Sequence, residues 1–164
     1  AIGFSGGGYE IAGLMNILHN QNRFPEDYAP DEVDAVSDKL ETAGLIYPAF
    51  SFEGLMPMMN SCFRREQLET ETQRKRLTEE YNITEHFCSA DIPQFLAYGE
   101  KDFMIPASQV RKYIAKLEGT NPAHVILNSM SSMHGMGMAS HSRKIFGRRH
   151  FMHKYLAWYK KTTA

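Results

Sequence analysis

Three kinds of residue that together can cut an acyl bond are spread along this chain. Ser5 stands between Gly3 and Gly7 in AIGFSGGG. A serine on a tight turn with small neighbours projects its hydroxyl clear of the backbone. A helix starting there aims free N–H groups at any negative charge that forms. A serine hydroxyl attacks poorly unless a base takes its proton, and the base needs a carboxylate to orient it. Glu100 and Asp102 follow the apolar run QFLAYG, and Asp91 precedes it. His134 and His141 lie in SMSSMHGMGMASHS, after the apolar run AHVILN. The chemistry that these types perform together is nucleophilic acyl transfer.

Other readings of the glycines fail on residue identity. A phosphate loop of the form G-x-x-x-x-G-K-[ST] requires a lysine, and none follows here. A dinucleotide fingerprint requires a third glycine where Ile11 stands. His150 and His153 lie one helical turn apart, but no third metal ligand accompanies them, and no metal or organic cofactor is expected.

The elements that would position these residues alternate. AIGF reads as the end of a strand. Residues 9–20 carry Ile11, Leu14, Met15 and Leu18 at helical spacing. AGLIYPAF (43–50), QFLAYG (94–99) and AHVILN (123–128) read as buried strands. Residues 21–42 are polar and hold Pro25 and Pro30, which predicts a loop with a helical turn near 31–36. The excursion 51–92 begins with the apolar, irregular FEGLMPMM and continues with a charged surface helix near 64–81. An amphipathic helix over 108–119 places Val110, Tyr113, Ile114 and Leu117 on one face, with Gly119 ending it. A loop spans 129–142. A last helix over 143–161 carries Phe146, Phe151, Tyr155, Trp158 and Tyr159. Strands alternating with helices predict an α/β layer with a mostly parallel sheet of about four strands.

Composition sets the outer limits. The chain has 164 residues, 43% of them hydrophobic and 23% charged, as in a globular domain. Lys+Arg of 18 against Asp+Glu of 19 gives a formal net charge of −1, so nothing argues for a nucleic-acid or membrane partner. No apolar run reaches the ~20 residues of a membrane span, and no secretion signal is visible. Two cysteines, Cys62 and Cys88, do not make a disulfide framework. They read as partly buried thiols in a reducing compartment, the cytoplasm.

GFSGGG, LIYPAF, IPQFLAYGEKDFMIP and MHGMGMA together resemble esterases of the α/β-hydrolase fold. More narrowly they resemble the acetyl-xylan esterase and acetylesterase-like branch, with its G-F-S-x-G-G elbow and final H-G-x-G loop. The resemblance covers the whole chain. It implies Ser5 as nucleophile, Asp102 as acid, His134 as base and the Gly6 N–H as an oxyanion donor. It also implies a carboxylic ester substrate with a short acyl group, such as the acetyl esters of carbohydrates. Glu100 and His141 remain rivals for the acid and the base. Met56, Met58, Met133 and Met136 are candidates for an apolar substrate pocket.

The family carries further strands before the elbow and a second oxyanion donor in an upstream loop. Residues 1–164 are therefore expected to be one α/β-hydrolase domain without those strands. A second copy of the chain or the missing segment would cover the exposed sheet edge. Two alternatives stay open: an inert fragment that needs a partner segment, and a serine peptidase of the prolyl-oligopeptidase type.

Overall fold

A computed structural model describes residues 1–18, 27–36, 39–130, 133–135 and 151–164. Four strands, β1 (Ile2–Phe4), β2 (Ala43–Ile46), β3 (Gln94–Gly99) and β4 (Val125–Ser129), form one parallel sheet in that spatial order. Every residue of β2 and β3 is buried. Central strands of a parallel sheet are covered on both faces, and for this reason AGLI and QFLAYG are apolar without alternation. The register aligns Phe4 with Ile46, Ile46 with Ala97 and Ala97 with Leu127. Ser5 follows the first residue of this row at once. The loops bearing Asp102 and His134 leave the same end of the sheet from β3 and β4.

Helices cover both faces. One face buries Leu45, Leu96 and Tyr98 of the strands against Ala12, Met15, Val110, Tyr113 and Leu117. These come from α1 (Gly6–Gly13), the π-helical turn Leu14–Leu18 that continues it, and α4 (Ala107–Leu117). The other face buries Ile46, Phe95 and Ala97 under Phe151, Tyr155 and Trp158 of α5 (Phe151–Thr162). The alternation of Leu45 with Ile46 and of Leu96 with Phe95 and Ala97 is the two-residue period of a strand. Each leucine, isoleucine or phenylalanine among them contributes ~1.5–3 kcal/mol on full burial.

A buried polar chain ties the end of the α1 segment to the sheet. Asn16 takes the N–H groups of Cys88 and Ser89 at 2.9 and 3.1 Å and donates to the Tyr113 hydroxyl at 3.2 Å. Tyr113 donates in turn to Gln94 at 2.9 Å. Every link is satisfied, so the network fixes α1, β3 and α4 relative to one another.

Several boundaries differ from those expected. The first helix starts at Gly6 rather than at residue 9, because it begins directly at the Ser5 turn. The second strand stops at Ile46, because Tyr47 has a φ of 40° and Pro48 cannot donate to the ladder. FEGLMPMM is not irregular throughout: α2 runs from Met56 to Cys62, with Pro57 in its first turn where no N–H bond is lost. The charged helix is shorter than 64–81. It is α3 (Glu71–Glu80), and it starts where Thr70 and Gln73 cap each other reciprocally. A separate 3-10 turn covers Arg65–Gln67. The α4 face of Val110, Tyr113, Ile114 and Leu117 is buried as expected, and Gly119 follows it at a φ of 76°. Both cysteines are exposed rather than partly buried, and neither is in a disulfide. The expected start of the last helix, with Phe146 and His150, lies outside the described residues, as do His141 and most of the 129–142 loop. No helix among the described residues is long and apolar enough to cross a membrane.

Candidate active site

Ser5 has φ 52° and ψ −118°, backbone angles that few side chains adopt. Its N–H donates to the Ile46 carbonyl at 2.9 Å, so the turn is pinned to the end of β2. The Ser5 carbonyl accepts from Gly8 and Tyr9 at 3.0 and 3.2 Å and opens α1. A serine at a helix start usually spends its hydroxyl on capping. Ser5 makes no such bond. Its Oγ lies 2.9 Å from His134 Nε2 instead.

Two glycines make this turn possible through close approach. A Cβ on Gly3 would lie 2.2 Å from the Gly7 carbonyl oxygen, and one on Gly8 would lie 2.9 Å from the Pro48 Cβ. Gly7, the second glycine of the G-x-S-x-G pattern, has open space where its Cβ would be. The steric demand therefore falls on Gly3 and Gly8, not on the symmetric pair that the pattern suggests.

His134 Nδ1 lies 2.8 Å from Asp102 Oδ2. The two side chains are 12% and 4% exposed, so water barely screens the contact. The other oxygen of Asp102, Oδ1, accepts from the backbone N–H groups of Met104 and Ile105 at 2.8 and 2.9 Å. These two bonds fix the plane of the carboxylate and leave Oδ2 for the imidazole. With Nδ1 donating to Asp102, Nε2 is the acceptor facing Ser5, which is the tautomer a general base needs.

Glu100 belongs to a different network. It accepts from Arg111 at 2.6 Å, Asn128 at 2.8 Å and the Tyr98 hydroxyl at 3.2 Å. The Arg111 guanidinium above all, and then Asn128, holds the Glu100 carboxyl below its usual range. Its acceptors are committed to bracing β3, β4 and α4.

Among the methionines, Met58 lines a cavity that opens beside Gly6. Met56 lines a separate groove with Glu53 and Arg74. Met133 is adjacent to His134 in sequence and 60% exposed. Met136 lies outside the described residues. Sequence reasoning passed over Tyr47. Its ring edge meets the His134 imidazole, with centroids 4.9 Å apart. The available signal was its place before Pro48, at the strand end beside the elbow.

Gly6 is the first residue of α1, so its N–H precedes the helical ladder and is free to receive negative charge on an atom bound to Ser5. A hydroxyl, an imidazole and a carboxylate in hydrogen-bonded sequence, with such a donor next to the hydroxyl, can perform acyl transfer.

No family model matches the chain, and no curated protein does. Solved structures do. An esterase of Pyrococcus furiosus superposes with a TM-score of 0.57 at 11% identity, covering 99% of this chain and 53% of that one. A carboxylesterase of Lactobacillus plantarum gives 0.55 at 18% identity, over 99% of this chain and 55% of that one. A puromycin hydrolase gives 0.61 at 16% identity, over 99% of this chain and 22% of that one. The chain thus spans about half the length of the esterases it matches. What it shares with them is architecture: a parallel four-stranded sheet, flanked by helices, that is part of an α/β-hydrolase fold.

Proposed function

We propose that the chain carries the catalytic triad of a serine hydrolase acting on carboxylic esters with short acyl groups, the acetyl esters of carbohydrates among them. One observation supports this most: the continuous hydrogen-bonded run from Asp102 through His134 to Ser5, at 2.8 and 2.9 Å, on a turn whose strained serine does not cap its own helix. In the reaction, Ser5 Oγ attacks the ester carbonyl as its proton passes to His134 Nε2. Asp102 accepts from Nδ1–H throughout and stabilises the imidazolium. The carbonyl oxygen gains the negative charge, and the Gly6 N–H receives it. Collapse expels the alcohol, which leaves with the proton from Nε2. Water then attacks the acyl-serine by the same route in reverse, releasing the carboxylic acid and restoring Ser5. The exposed thiols of Cys62 and Cys88 support a reducing compartment such as the cytoplasm.

The test is covalent labelling with a fluorophosphonate, alongside hydrolysis of phenyl acetate. Wild-type protein labels at Ser5, and Ser5→Ala does not label. Folded wild-type protein that takes no label would establish the inert alternative.

A further inference from the structure

The cavity beside Gly6 has a volume of about 520 Å³ and is lined chiefly by Gly6, Tyr9, Phe52, Met58, Phe63 and Tyr81. Four of these are aromatic, and their rings form a continuous row. Tyr9 and Phe52 have centroids 5.2 Å apart, Phe52 and Phe63 5.2 Å, and Phe63 and Tyr81 5.4 Å. Each pair is tilted, with interplanar angles of 55°, 66° and 58°, so the edge of one ring meets the face of the next. Phe52 is buried and anchors the row to Met59, Leu68 and Leu77, whereas Tyr9, Phe63 and Tyr81 are half-buried.

Gly6 and Tyr9 are three residues apart on α1 and share a face, so the row begins one helical turn from the oxyanion donor. Two hydroxyl groups of the lining are already engaged, and the Tyr81 side chain and the Glu10 carboxylate line the cavity as well. Tyr9 donates to the Tyr81 carbonyl at 2.9 Å, and Ser61 donates to the Met58 carbonyl at 2.8 Å.

From this we infer that the cavity holds an aromatic ring carried by one arm of the ester, and that Phe63 and Tyr81 select for it. The inference rests on the hydrolase reading for the word ester, but the binding site itself does not. An aromatic guest can extend the tilted row, gaining edge-to-face contacts that an alkyl chain of equal length lacks.

The experiment uses the full chain and three probes: 3-phenylpropan-1-ol, hexan-1-ol and methyl β-glucoside. Affinity is read by NMR titration, and occupancy by protection of Cys62, which lines the cavity, against iodoacetamide, with Cys88 as internal control. The phenyl alcohol is expected to bind about tenfold more tightly than hexanol and to slow alkylation of Cys62 but not of Cys88. Phe63→Leu and, independently, Tyr81→Leu should remove that preference, while Ser5→Ala should keep it. Equal affinity for the two alcohols, or tighter binding of the glucoside, overturns the inference. Retained ring selectivity in protein that takes no fluorophosphonate leaves this site standing and sinks the hydrolase reading alone.

Discussion

Tyr47 meets the imidazole of His134 edge-on, with ring planes 67° apart, and is itself locked in place. Its φ is 40°, its N–H donates to the Ala97 carbonyl at 2.6 Å, and the residue is 2% exposed. Its hydroxyl is buried without a hydrogen-bond partner among the described residues. In the proposed mechanism the Tyr47 ring serves to hold the imidazole of His134 in place. Tyr47→Ala should lower kcat about tenfold or more with KM near wild type, since a loosened base reacts in fewer orientations. Tyr47→Phe should keep full activity and raise stability by about 1 kcal/mol, because an unsatisfied buried hydroxyl costs ~1–3 kcal/mol. Steady-state kinetics and thermal unfolding read both, and inactive Tyr47→Phe would give the hydroxyl a part in the reaction.

The two carboxylates of the acid loop should separate cleanly. Asp102→Asn should lower kcat/KM by ~10⁴, because the amide favours the wrong imidazole tautomer. Glu100→Gln should change it by less than about tenfold, since Arg111, Asn128 and Tyr98 rather than His134 occupy that side chain. Rates on phenyl acetate for the pair decide the matter, and a catalytic collapse in Glu100→Gln with Asp102→Asn intact would reverse the assignment.

The glycines of the elbow should not be equivalent. Gly3→Ala and Gly8→Ala drive a methyl against backbone and against Pro48, and each should destabilise the fold by ~1–3 kcal/mol or more. Gly7→Ala meets open space within α1 and should stabilise by ~0.5–1 kcal/mol. Denaturant midpoints of the three variants are sufficient to rank them.

His124 should make stability depend on pH. Its Nδ1 accepts the Gln94 N–H at 3.1 Å, and its Nε2 lies 3.0 Å from the Thr120 hydroxyl. Burial lowers its pKa below the usual histidine value. The neutral form is favoured in the folded chain, so the unfolded chain takes up protons first as the pH falls. The His124 contribution is therefore complete above about pH 6.5 and is lost as the pH falls from there through the folded pKa. His124→Gln should flatten the fall in Tm between about pH 7 and 5, and an unchanged slope would remove His124 as its source.

What was legible in the sequence follows from the range of each interaction. The central strands were visible because burial on both faces demands unbroken apolar runs, as in QFLAYG. The four-stranded parallel layer followed from their alternation with helices. The α4 face was visible because amphipathic spacing is local. The end of β2 was not, since AGLIYPAF stays apolar past Ile46 and only the backbone turn at Tyr47 stops the strand. The Thr70–Gln73 cap was in plain view, but the charged run around it reads as helix on both sides. Which carboxylate faces His134 could not be read from spacing: Glu100 and Asp102 are two residues apart, and a partner on α4, Arg111, claims the first. Tyr47 touches His134 from 87 positions away in the chain, a relationship without a local pattern.

Ser5 and His134 are 129 positions apart and meet across the width of the sheet. The serine follows β1, Asp102 follows β3 and His134 follows β4, with β2 between the first two strands. Their alignment therefore exists only while all four strands stay docked side by side. In a denaturant series the capacity to take a fluorophosphonate should vanish no later than the far-ultraviolet circular dichroism does. The label would then report the assembly of the whole layer rather than the state of any one strand.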